Sequence, residues 1–227
     1  MKLNKEQIKE VEAYLNNKDV EYIDLHLEVL DHISTAIESE IAENEISFNN
    51  AFEKVKTKWN GNFKNTTSLW LGWRNNGPKL LINKCIEIYK PLFIKAFLLL
   101  LLFIAIGTIL NYSFEYSVEK YKSLIFNLIS FVLILYCVSI LFLYVKIRLE
   151  KIKTSYSYLF QKQIMPNLFS VLIFIPYIND SYITRDGKFN LIMFAMLFVF
   201  FLTFLGARYF YKNHLKVVSN YKKYQLQ

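Results

Sequence analysis

The sequence predicts an all-α protein: a small cytoplasmic three-helix domain followed by a four-helix transmembrane bundle. Three observations carry that expectation. Ala96 to Leu110, AFLLLLLFIAIGTIL, contains no charge and no turn pair. With its flanks it gives about 20 residues, the length an α-helix needs to cross ~30 Å of hydrocarbon, and it offers water no polar face. Two more long apolar runs follow, SLIFNLISFVLILYCVSILFLYV from Ser123 and FNLIMFAMLFVFFLTFLGARYFY from Phe189. Residues 1–60 instead place apolar side chains every three or four positions among charged ones, the pattern of soluble amphipathic helices.

Composition and charge divide at the same place. Of 227 residues, 54% are hydrophobic, more than the ~45–50% of ordinary soluble domains, and the excess lies after residue 90. Residues 1–60 hold 7 Lys against 13 Asp and Glu, a net of −6, whereas the remainder carries +14, giving +8 overall. The excess bases flank apolar runs, which suits anionic lipid headgroups and the setting of membrane topology. An acidic first domain argues against nucleic-acid binding. Cys85 and Cys137 imply no disulfide framework. Met1 to Lys18 is polar and lacks the apolar core of a signal peptide, so the N-terminus is expected in the cytoplasm.

Residues 1–60 read as a prefix domain of three helices with short turns. Asn4 can cap a first helix to Asn16, with Ile8, Val11 and Leu15 on one face. Asp19 can cap a second, from about Val20 to Ala42, striped by Ile23, Leu27, Leu30, Ile33, Ile37 and Ile41. Ser47 can cap a third, carrying Phe48, Ala51, Phe52, Val55 and Trp59. Sixty residues make a marginal core, so this domain is expected to dock on the membrane part or on a partner.

Two short motifs stand out in it: Glu28, Leu30, Asp31, His32 and Ile33, and then Ser47, Phe48, Ala51 and Phe52. They resemble the "ElxDHi" and "sFxxAf" stretches of the HAAS or permease-prefix type of helical domain, found ahead of the spans of bacterial multi-pass membrane proteins. The resemblance covers about the first quarter of the chain. It implies a cytoplasmic regulatory or protein-contact domain and carries over no catalytic residue. The resemblance does not extend to the membrane part.

Glu28, Asp31 and His32 share a helical face, with His26 two residues before Glu28. Carboxylates and an imidazole so placed are candidate ligands for a divalent metal. The same three residues equally suit an ionic face or a hydrogen-bonded helix contact. The H-E-x-x-H spacing of zinc proteases does not occur.

Residues 61–90 read as a linker. Asn75–Asn76–Gly77 is a turn, and Pro78 suits the first position of a helix to Lys90. That helix carries Leu81, Ile82, Cys85, Ile86 and Tyr89 together with Lys79, Lys84 and Lys90. With Trp70 and Trp73 it is expected either to lie along the cytoplasmic leaflet or to pack on the prefix domain.

The membrane domain, 91–227, is expected to hold spans at about 91–112, 123–147, 159–178 and 189–211, and a basic tail. The third is the weakest, since Ile164 to Ile178 is short for a straight crossing and contains Pro166 and Pro176. Basic residues set the threading. Lys146, Arg148, Lys151, Lys153 and Lys162 lie between the second and third segments, and Arg208, Lys212, Lys216, Lys222 and Lys223 lie in or near the tail. Arg74, Lys79, Lys84 and Lys90 precede the first span, while the other two loops hold Lys120 and Lys122, and Arg185 and Lys188. Four crossings place all the richer segments together in the cytoplasm. Tyrosines including Tyr112, Tyr116, Tyr144, Tyr177 and Tyr211 fall near span ends, where an aromatic belt belongs.

Inside the spans there is almost nothing ionisable. Asn127, Ser130, Ser139, Asn167, Ser170 and Thr203 are expected to hydrogen-bond between helices, and Gly107 and Gly206 to let helices approach. His214 is expected on a basic, headgroup-facing surface. Neither GxxxxGK[ST] nor GxGxxG occurs, and no nucleophile stands beside an obvious base. The expected function is therefore that of a non-enzymatic multi-pass protein of the inner (cytoplasmic) membrane. No catalytic residue and no cofactor is assigned. Its partners would be the bilayer and a protein bound through the N-terminal domain. The alternative is an accessory subunit of a membrane transporter or permease.

Overall fold

Asn4 begins the first helix as expected. Its side chain accepts the Glu6 and Gln7 N–H groups at 3.0 and 2.9 Å, and Gln7 Oε1 accepts the Asn4 N–H at 2.9 Å, a reciprocal cap. The structure, a computed structural model, describes residues 2–18, 20–113 and 118–225. Asp19, the expected cap of the second helix, and Tyr116 lie outside the described residues.

The chain divides into two compact units, Met1–Ile88 with Lys151–Tyr158 and His214–Gln227, and Tyr89–Glu150 with Leu159–Asn213. In unit 1, α1 (Lys5–Asn17), α2 (Ile23–Asn44) and α3 (Phe48–Trp59) are joined by short turns. Glu45 ends α2 in the left-handed conformation, φ 51°, a common way to stop a helix. The core contains Val11 and Leu15 of α1, Ile33 and Ile37 of α2, and Ala51 and Val55 of α3, all essentially without exposure. The buried face of α2 is Leu25, Val29, Leu30, Ile33 and Ile37. The expected stripe holds in its middle, but Ile23, Leu27 and Ile41 are only half-buried. The buried ladder at residues 25, 29, 33 and 37 advances four residues per step and so winds around the helix axis, which moves the core face off Ile23, Leu27 and Ile41.

Residues 65–78 form a hairpin where the sequence suggests only a linker. β1 (Asn65–Ser68) pairs antiparallel with β2 (Gly72–Pro78). Directly after it starts α4 (Lys79–Ser113). The helix expected over 78–90 is thus the first part of one 35-residue helix, with Leu81, Ile82 and Cys85 buried.

Unit 2 is built on three long helices: most of α4, α5 (Lys122–Leu149) and most of α8 (Leu191–Gln225). Among the described residues these are the three helices long and apolar enough to cross a membrane, where the sequence leads one to expect four. The third expected segment is broken. It comprises α6 (Ser155–Leu159), a π-helical turn at Phe160–Ile164, and α7 (Pro166–Ser181). The 16 residues of α7 span about 24 Å. Pro166 is the physical reason for the break, because it has no N–H to give back to the preceding turn. Met165 instead donates to the Phe160 carbonyl, five residues back, at 3.2 Å, and the Asn167 amide caps the Gln163 carbonyl at 2.8 Å.

One end of unit 2 is fixed by polar contacts. The Tyr182 hydroxyl donates to the Lys122 carbonyl at 2.7 Å, and Val118 N–H to the Gly187 carbonyl at 2.9 Å. Asn111 donates to the Phe189 carbonyl at 3.2 Å, while Lys188 donates to that of Asn111 at 2.8 Å. A bridge between Ile183 and Phe189 shapes the turn into α8. The ends of α4 and α7 and the starts of α5 and α8 therefore meet. Gly107 makes room there: a Cβ on it would lie 2.4 Å from Leu191 Cδ1.

The prefix-domain core can be tested on the full chain in detergent. Ile33→Ala should lower the unfolding free energy of the N-terminal domain by about 2–5 kcal/mol, read by denaturant titration or limited proteolysis. A loss well under 1 kcal/mol would contradict a close-packed Ile33.

Candidate functional site

The most elaborate polar cluster in unit 1 gathers residues from α2, α4, the segment 151–158 and the tail. It begins with two contacts between the start of α2 and residues 153–155. Ile23 N–H donates to the Lys153 carbonyl at 2.9 Å, and the Asp24 carboxylate accepts the Ser155 N–H at 2.9 and 3.2 Å. The same helix start is capped locally: Thr154 Oγ1 accepts the Ser157 N–H at 3.1 Å, and Ser157 Oγ the Thr154 N–H at 2.9 Å. Asp24 thus adds an acceptor at this helix start from a distant part of the chain.

Around this pair, Thr154 Oγ1 lies 2.9 Å from His214 Nδ1, and both residues are fully buried. The Cys85 thiol donates weakly to the Ser155 carbonyl at 3.9 Å. Tyr22 and Tyr158 meet edge to face, their ring centroids 5.8 Å apart. Two ion pairs flank the cluster, Lys84 with Glu28 at 2.8 Å and Lys153 with Glu21.

Burial controls the titration of these groups. It pushes the Tyr22 and Tyr158 phenols up to about 12, helped for Tyr22 by Tyr158, Cys85 and nearby carboxylates and for Tyr158 by Cys85. Burial, then Asp24, pushes the Cys85 thiol up as well, so it stays protonated and unreactive at neutral pH. The Asp24 carboxyl is raised by burial, which outweighs the lowering effect of the Ser155 hydrogen bonds. For Lys84, burial alone would lower the ammonium, but Glu28, then Glu87 and Asp24, outweigh it and leave it raised. The arrangement holds segments together and offers no activated nucleophile.

No family model, curated protein or solved structure matches this chain. The site is therefore read from its own residues alone.

The metal candidates of the sequence lie on α2. Glu28 is engaged by Lys84, while Asp31 and His32 are exposed. His26 Nδ1 donates to the Val20 carbonyl at 3.3 Å. Among the described residues no three His, Cys, Asp or Glu side chains come together as a ligand set. His214, expected on an open basic surface, is buried. Asp24, Thr154 and Ser155 are not singled out by the sequence. The Thr154-x-x-Ser157 spacing is a recognisable cap, but nothing local announces its partner 131 residues earlier.

Unit 2 contains clefts rather than a polar site. One of about 350 Å³ lies between α4, the π-helical turn and α8, lined by Phe93, Phe97, Ile164, Asn167, Thr203 and Phe210. Another, about 500 Å³, is lined by Asn167, Ser170, Phe174, Met193 and Met196 among others. Asn167, Ser170 and Thr203 bond carbonyls of their own segments at 2.7–2.8 Å, not partner helices as expected. Their polarity is spent locally, which leaves these clefts suited to apolar groups.

The raised Asp24 pKa fixes a sign. The folded state holds this proton to higher pH than the unfolded chain, so its stabilising effect is complete below ~3.9 and fades as pH rises through the raised value. Asp24→Asn keeps an acceptor for Ser155 and should raise the melting temperature at neutral pH while flattening the acid-side dependence. Asp24→Ala strands a buried N–H and should cost about 1–3 kcal/mol. Thermal unfolding of the full chain at two pH values checks both. Equal losses in the two variants would show that the charge itself is needed.

Proposed function

We propose that this chain is a non-enzymatic, multi-pass protein of the inner (cytoplasmic) membrane, whose N-terminal helical domain is a cytoplasmic protein-contact or regulatory module of the HAAS-like kind. The observation that carries the membrane reading is the surface of unit 2. Leu98, Leu102, Ile109, Leu128, Phe131, Ile134 and Phe201 are all more than half exposed on α4, α5 and α8. Such a surface suits lipid and not water.

The broken segment from Phe160 to Ser181 serves as the third of four passages. Gln163 and Asn167 share a cleft with Tyr89, Leu92 and Phe210, near one end of α4 and α8, while Tyr182 bonds Lys122 at the start of α5. These contacts at its two ends support that passage. It also carries outward apolar side chains, with Phe169 69% and Ile173 68% exposed. Four passages return the tail to the side of the N-terminus. The gathering of Met1–Ile88, Lys151–Tyr158 and His214–Gln227 into one unit supports that threading. The basic residues between the second and third passages and in the tail assign this side to the cytoplasm. The second reading, a transporter's accessory subunit, draws support from the apolar clefts, which fit side chains of a neighbouring membrane helix.

Two measurements test this. The protein should stay in the membrane pellet after alkaline carbonate extraction. In a Cys85→Ala, Cys137→Ala background, Lys120→Cys and Arg185→Cys should label from outside intact cells. Lys151→Cys and Ser219→Cys should label only after permeabilisation. External labelling at Ser219→Cys would mean that the third segment does not cross.

A further inference from the structure

The hairpin β1–β2 is held firmly at its base and turn. Lys79 N–H donates to the Lys64 carbonyl at 2.9 Å, so the residue before β1 is tied to the first residue of α4. Leu71 is 2% exposed and anchors the turn, Gly72 adopts φ +87°, and the Asn75 amide bonds the Leu71 carbonyl. This rigid frame presents side chains that water does not favour. Leu69 is 80% exposed, Trp73 78% and Trp70 39%. Arg74, next to Trp73, is exposed, as are Lys64 and Lys79 at the base of the hairpin, and no acidic residue occurs between Glu53 and Glu87.

We infer that this hairpin tip is an interfacial anchor that inserts Leu69, Trp70 and Trp73 among the headgroups of an anionic leaflet. Resting on the membrane reading above, it names the surface that the linker touches. Indole rings favour the headgroup level, and lysine and arginine are drawn to anionic lipid. A soluble protein surface rarely combines two such exposed residues, and an acid-free stretch of this length matches one sign of partner. Chain length permits the contact. The residues from Lys79 to Lys90 rise only about 18 Å before the first apolar run begins at Pro91.

The test uses the full chain reconstituted into vesicles of mixed zwitterionic and anionic phospholipid carrying bromine at shallow or deep acyl positions. Shallow bromine should remove about half of the Trp70 and Trp73 emission, with deep bromine doing less. Subtracting a Trp70→Phe, Trp73→Phe variant isolates that signal from Trp59, and both replacements keep an aromatic ring in the hairpin. Emission of the pair that is untouched by shallow bromine, in protein that still resists carbonate extraction, would overturn the anchor and leave the membrane reading standing. Protection of the pair by a co-purified protein instead of lipid would overturn it equally.

Discussion

The outward-facing leucine, isoleucine and phenylalanine side chains of unit 2 constrain everything else. From Phe93 to Leu110, ten large apolar side chains of α4 are at least two-fifths exposed. At about 1.5–3 kcal/mol for fully burying each, leaving them half in water forgoes on the order of 10 kcal/mol on one helix. That equals the whole net stability of an ordinary domain, ~5–15 kcal/mol. The helices α5 and α8 repeat the pattern. Lipid removes the penalty, because exposure to acyl chains resembles burial.

A backbone carbonyl or N–H shielded from water needs a partner within the protein, and the broken segment near Pro166 shows how that is met around a proline. Pro166 cannot donate, so the turn before it widens, Met165 reaches back to Phe160, and the Asn167 amide takes the Gln163 carbonyl. Ser170 and Thr203 likewise return their hydroxyl protons to their own segments. These polar side chains thus satisfy carbonyls of their own segments and support irregular helix locally.

What could be read in the sequence follows from how local each cause is. The Asn4–Gln7 cap, the three long apolar helices and the middle of the α2 stripe each depend on residues within a few positions of one another. The break near residue 160 is half legible: Pro166 is visible, but the π turn depends on which carbonyl accepts the displaced N–H. The hairpin escapes a sequence reading because Asn, Gly and Pro dominate β2, residues that argue against a strand; Gly72 at positive φ and the buried Leu71 make it possible. The Asp24–Ser155 contact has no local signature, since its partners are distant in sequence and each is ordinary alone.

Charge shows the same dependence on distance. Taken in chain order, the prefix is acidic at −6 and the remainder basic at +14. Unit 1 as folded holds 16 Lys and Arg against 14 Asp and Glu, a net of +2. Two prefix acids find bases from elsewhere in the unit, Glu28 with Lys84 of α4 and Glu21 with Lys153. Partly exposed pairs of this kind contribute little each, ~0–1 kcal/mol. Directional holding therefore falls to the buried bonds of Asp24 with Ser155 and Thr154 with His214, while the ion pairs cancel long-range repulsion.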